Sequence, residues 1–117
     1  LKYQELEVKV LDWAHDKGIL DKATPLAQAK KTKEEVNELL EACVAQQNGQ
    51  KTFTNFKGKL VNTQEEVEDA LGDIFVTIII GAELQGVSLE NCLEKAYNVI
   101  SKRTGVMRDG QFVKNVK

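Results

Sequence analysis

Two acidic clusters in this chain have the residue types and spacing to hold a cation between them. The stretch EDALGDIFVTIIIGAE, residues 68–83, sets Asp69 and Asp73 four apart at the head of an apolar run. From Lys59 to Lys95 no Lys or Arg intervenes. Upstream, KEEVNELLEA carries Glu34, Glu35 and Glu38. At about 100° per residue Glu66, Asp69 and Asp73 share one helical stripe, with Asp69 roughly 40° from Asp73. The stripe continues as Val76, Thr77 and Ile80, so Asp73 is expected to face the interior. Gln28, Lys31, Glu35 and Glu38 form a second stripe, bordering an apolar arc of Ala29, Val36, Leu39, Leu40 and Cys43. A like-charge i,i+4 pair costs only a few tenths of a kcal/mol on a solvated surface. Carboxylates turned toward a low-dielectric core cost several kcal/mol each unless something neutralises them. Lys30, Lys31 and Lys33 are too few and precede the acids, the less favourable order on a helix. A divalent cation is the simplest remedy, and oxygen ligands select Mg²⁺ or Mn²⁺ over zinc. Taken alone, KEEVNELLEA reads as a solvated face and Asp73 as a carboxylate favouring a helix N-terminus. The two clusters together carry the metal reading. A di-iron bundle would need Glu-x-x-His pairs, and the sole histidine, His15, lies elsewhere.

Four helices are expected to position these groups. The first spans about 2–16, with Tyr3, Leu6, Val10 and Trp13 on an apolar stripe that makes Trp13 a core residue, and stops at Gly18. His15 near its end is a C-terminal cap. The second opens at ATPLAQ, with Thr24 as N-cap and Pro25 at the first helical position, and runs to about Gln47. The third is capped by Asn62 or Thr63, with Glu65 or Glu66 completing a capping box, and continues to about Leu84 before Gly86. The fourth starts from Ser88 and ends at Gly105 as a C′ residue. The fold class is therefore all-α, four-helix bundle-like, with a short irregular or hairpin tail at RDGQF. Residues 48–61 make a long link for a bundle, of the kind that is often functional. Its Phe53 and Phe56 could pin the link down.

The size and charge of the chain narrow its class. At 117 residues it is read as one domain, 1–117, and 42% hydrophobic with 29% charged residues describes an ordinary soluble chain. A net charge of −2 gives no reason to invoke nucleic acid or a membrane surface, and IFVTIII is far too short to span a bilayer. No signal peptide is visible. Cys43 and Cys92 lack metal spacing and are expected to be reduced and packed, in a cytoplasmic protein. The apolar third helix is expected to be central in a bundle or buried on self-association, as a homodimer or tetramer.

The residues also resemble a known family. QAKKTKEEVNELLEA followed by DALGDIFVTIIIGAE is similar to the all-α nucleoside triphosphate pyrophosphohydrolases of the MazG-like superfamily, and AYNVISKRTGVMRDGQFVK resembles the ending of its small phage-type and bacterial members. The similarity covers about 25–47 and 62–114. It implies Mg²⁺-dependent hydrolysis of an NTP or dNTP to monophosphate and pyrophosphate. By position it implies Glu35, Glu38 and Asp73 as metal ligands, and Glu34 or Glu35 as the carboxylate that orients or deprotonates water. Gln28, Lys31, Asn98 and Lys102 match substrate-side positions, and Arg103 adds a second cation beside Lys102. The family pattern has a Glu three residues before the position of Asp73, where this chain has Ala70; Asp69 is the substitute ligand. A dUTP- or dCTP-preferring enzyme is a close variant. The alternative is a non-catalytic helical module that oligomerises or binds a metal or nucleotide, which Ala70 favours and the EEVNEL stripe opposes.

Overall fold

Helix boundaries in the chain follow its capping chemistry. In the computed structural model, which describes residues 1–115, α1 spans Tyr3–Asp16 and Gly18 follows in the left-handed region at φ 75°. A short α2, Ile19–Lys22, was not expected. α3 runs Pro25–Gln47 from Thr24, whose hydroxyl accepts the Ala27 N–H at 3.1 Å. α4 runs Thr63–Gln85, capped by the Asn62 side chain on the Glu65 N–H at 3.0 Å and stopped by Gly86 at φ 70°. α5, Leu89–Ile100, starts from the Ser88 hydroxyl on the Asn91 N–H. The mainly helical fold with a hairpin tail is thus as expected.

The 48–61 link is not irregular. It folds as β1, Thr52–Thr54, antiparallel to β2, Leu60–Asn62, with Phe53 opposite Val61. Three-residue strands are too short for an alternating pattern to register. At the other end β3, Gly105–Arg108, pairs with β4, Gln111–Lys114, across Asp109 and Gly110. Both turn residues have positive φ, 51° and 78°, which matches the right-handed strand twist of a tight hairpin. Gly105 is therefore not a helix C′ residue. A Cβ there would run into the Val113 carbonyl and the Phe112 ring, so the paired strand demands glycine.

The chain divides into two compact units, Leu1–Gly86 and Val87–Lys117. In the first, α3 and α4 pack antiparallel as the main contact and α1 lies on α4, with Tyr3 edge-on to Phe75 at 5.4 Å. The seam is built from small residues. Ala42, Ala45 and Ala70 are buried, and Phe53 of the hairpin packs with Ala42, Ala45, Val61 and Val67. Phe53 thus pins the link to the helices. In the second unit, none of the α5 residues is buried.

Several expected core positions are solvent-facing. Trp13 is 49% exposed, and Cys43 and Cys92 are free but exposed. On α3 the inward face is Gln28, Glu35, Ala42 and Ala45, so Val36, Leu40 and Cys43 of the apolar arc turn outward, as does Val44. Asp73 is also exposed, because Ala70 and Thr77 take the seam side of α4. Periodicity locates an apolar arc but not the surface that covers it. Among the described residues, no single helix is long and apolar enough to cross a membrane.

Thr24→Ala removes the side-chain acceptor of the Ala27 N–H at the start of α3. It is expected to cost about 1 kcal/mol in urea unfolding, with Thr24→Ser near wild type. Equal stability of all three proteins would show that the cap contributes nothing.

Candidate active site

The site begins with an inversion on α3. Its polar stripe, not its apolar arc, faces α4. Gln28 is buried and its side-chain amide donates to the Thr77 carbonyl at 3.2 Å, tying the two helices together. Two turns on, Glu35 is only 9% exposed, and its Oε2 has no hydrogen-bond partner. Its Oε1 lies 3.7 Å from Lys31 Nζ, which also donates to Glu34 at 3.3 Å. Glu34 itself points outward, with two thirds of its side chain exposed.

Four carboxylates act on one another here. Glu35 is pushed up to about 7, first because a proton it holds can be shared with Glu38, then by burial and by the charges of Glu38 and Asp73; Lys31 opposes this. Asp73 is raised by desolvation, then by Asp69 and Glu38. Lys31 is raised, chiefly by its hydrogen bond to Glu34. Glu35, Glu38, Asp73 and Asp69 are therefore electrostatic neighbours across the α3–α4 seam. Ala70, 4% exposed, fills the seam where the family's Glu was expected.

A cation absent from the sequence reading enters from the hairpin. Lys57 Nζ lies 3.6 Å from Glu38, and the backbone N–H of Phe56 donates to Glu41 at 3.4 Å. Two cavities flank this pair. One, about 370 Å³, is lined by Lys31, Glu34, Glu35, Glu38, Phe56 and Lys57. The other, about 290 Å³, is lined by Glu38, Asn55, Lys57, Lys59, Val61, Glu66, Asp69, Ala70 and Asp73. The missed signal was the length of the link, which marked the segment but not Lys57. Asn98, Lys102 and Arg103 are exposed and belong to the second unit.

Among the described residues, no group of three or more His, Cys, Asp or Glu side chains is disposed to hold a metal ion as it stands. The donor set nonetheless fits a hard divalent cation: all donors are oxygen, one is buried and unpartnered, and acids outnumber the lysines that face them.

The family described as phosphoribosyl-ATP pyrophosphohydrolase matches residues 15–98, in keeping with the all-α pyrophosphohydrolase resemblance. No curated protein and no solved structure matches the chain.

The raised Glu35 makes stability fall with pH in metal-free buffer. Unfolded, the acid ionises near 4.5; folded, it holds its proton to about 7. The penalty therefore sets in above pH 4.5 and is complete above 7. Glu35→Gln is expected to match wild type at pH 4 and to exceed it in denaturation midpoint at pH 8, both in EDTA. A gap that does not change with pH would refute the buried like-charge cluster.

Proposed function

The chain belongs to the phosphoribosyl-ATP pyrophosphohydrolase family, and we propose that it hydrolyses a nucleoside triphosphate, NTP or dNTP, to the monophosphate and pyrophosphate. The observation that carries this reading is the buried Glu35 oxygen without a partner, set among Glu38, Asp73 and Asp69. Mg²⁺, or Mn²⁺ in its place, would be held by Glu35, Glu38 and Asp73, with Asp69 in the role of the missing family Glu. Bound there, the ion supplies charge neutralisation on the phosphates, the main requirement of phosphoryl transfer.

The chain's own residues supply the remaining parts. Glu34 is open to solvent and held by Lys31 at 3.3 Å, which suits it to take a proton from the attacking water. Water adds to the α-phosphorus, the bond to the β-phosphate oxygen breaks, and pyrophosphate leaves. Glu35 fits this role only if it is not a ligand, so the two glutamates are separable by experiment. Lys31 offsets phosphate charge as a point cation. Gln28 acts on substrate only indirectly, through the helix contact it makes with Thr77. Asn98 and Lys102 are assigned to the substrate by the family pattern, and Arg103 adds a second cation beside Lys102.

Self-association belongs to the same proposal. Val36, Leu40, Val44, Leu71 and Phe75 are large apolar side chains left exposed on α3 and α4, and a second copy would cover them in a homodimer or tetramer. Sedimentation at micromolar concentration is expected to show no monomer.

The direct test is a panel of NTPs, dNTPs and phosphoribosyl-ATP with Mg²⁺, reading monophosphate and pyrophosphate separately. Glu38→Gln and Asp73→Asn are expected to lose more than about a hundredfold, beyond the 10–100-fold typical of outer-shell partners. Glu34→Gln is expected to lower kcat while leaving Mn²⁺ binding intact, whereas Glu35→Gln lowers both. Wild-type protein that releases pyrophosphate from none of the panel would favour the non-catalytic binding module, with Ala70 as the disabling change.

A further inference from the structure

In the β1–β2 turn, Asn55–Lys59, every backbone N–H has an acceptor. The Asn55 side chain accepts the N–H groups of Lys57 and Lys59, both at 3.0 Å, and the Asn55 N–H donates to the Lys59 carbonyl at 2.8 Å. The Gly58 N–H closes onto the Asn55 carbonyl at 2.8 Å, with Gly58 at φ 81°. Phe53 anchors the hairpin from below and Glu41 holds the Phe56 N–H from the side. What the turn presents to solvent is its side chains. Phe56 is 68% exposed, at the wall of the 370 Å³ cavity, and Lys57 lies 5.5 Å from its ring centroid.

Glu38 and Lys57 are walls of both cavities, so their 3.6 Å ion pair stands where the two meet. The pair is largely solvated on the lysine side, two thirds of which is exposed, so parting it costs little. Phe56 lies on one side of the pair with Lys31, Glu34 and Glu35; Lys59, Asn55, Glu66, Asp69 and Asp73 lie on the other. Phe56 is the one aromatic side chain among the residues that line the two cavities, beside a junction of acids and lysines, which suits a base joined to a cation-bound phosphate chain.

We propose that the β1–β2 turn is the nucleotide clamp: the base stacks on Phe56, and Lys57 leaves Glu38 for the phosphates, which lie with the cation where the two cavities meet at Glu38. Lys57 then serves as a tethered counter-ion that holds Glu38 in the free protein and yields it when charge arrives from outside. No covalent step is involved. The inference rests on the pyrophosphohydrolase reading and deepens it by assigning recognition of base and phosphate to one segment.

The test is calorimetric binding of three probes to the full chain: a non-hydrolysable α,β-imido dNTP with Mg²⁺, inorganic triphosphate with Mg²⁺, and Mn²⁺ alone. Phe56→Ala is expected to weaken the nucleotide about tenfold and leave inorganic triphosphate unchanged, with Phe56→Trp restoring binding. Lys57→Met is expected to weaken both phosphate ligands roughly tenfold yet tighten Mn²⁺ alone, since Glu38 is released. Lys57→Arg should return each value toward wild type. A turn that merely shapes the fold would weaken all three probes in the same direction. The clamp is overturned if wild type binds the probes and either variant leaves nucleotide affinity unchanged, or if Lys57→Met loosens Mn²⁺. Wild-type protein that binds none of the three overturns the pyrophosphohydrolase reading and the clamp with it.

Discussion

Repulsion among Glu35, Glu38, Asp73 and Asp69 at the α3–α4 seam is the constraint around which the first unit is arranged. A helix pair that only needed to be stable would turn the apolar arc of α3 toward α4. Here the stripe of Gln28, Glu35 and the alanines faces inward, and Val36, Leu40 and Val44 are left outside. Burying a carboxylate without a partner is a cost that folding alone gives no reason to accept. The surroundings hold the cost down piecemeal. Lys31 reaches up from one turn earlier, Lys57 comes across from the hairpin, and Glu35 can keep a proton.

The hairpin follows from this arrangement. Phe53 is spent on packing against Ala42 and Ala45, which frees the turn beyond it to project over the acids without losing its footing. Anchoring and presentation are divided between two aromatic residues three apart, the buried Phe53 and the exposed Phe56. The loop is thus both fixed in backbone and open in side chain, a combination suited to meeting a ligand.

Much of the fold was legible in the sequence because local chemistry writes it there. Thr24, Asn62 and Ser88 act as the N-caps they resemble, Gly86 ends α4, and Asp109–Gly110 makes the tail hairpin. The misreadings share one origin. Trp13, Cys43, Asp73 and the apolar arc of α3 were assigned from the face they occupy, and periodicity says nothing of which face meets a neighbour. Gly105 was mistaken because a glycine needed for close strand approach looks, in sequence, like one that ends a helix. The acidic clusters themselves were visible at once. Lys57 was not, because its link to Glu38 depends on a hairpin whose strands are three residues each.

The alanine seam has a consequence beyond packing. Ala42, Ala45 and Ala70 are buried, so single methyl groups occupy the space beside the charged end of the helix pair. The separation of Glu38 from Asp73 is thereby a mechanical property of residues that carry no charge. Adding volume to those positions would wedge the helices apart and change how the acids share a guest before any acid was altered. In this chain, the spacing of charged groups answers to the dimensions of its smallest side chains.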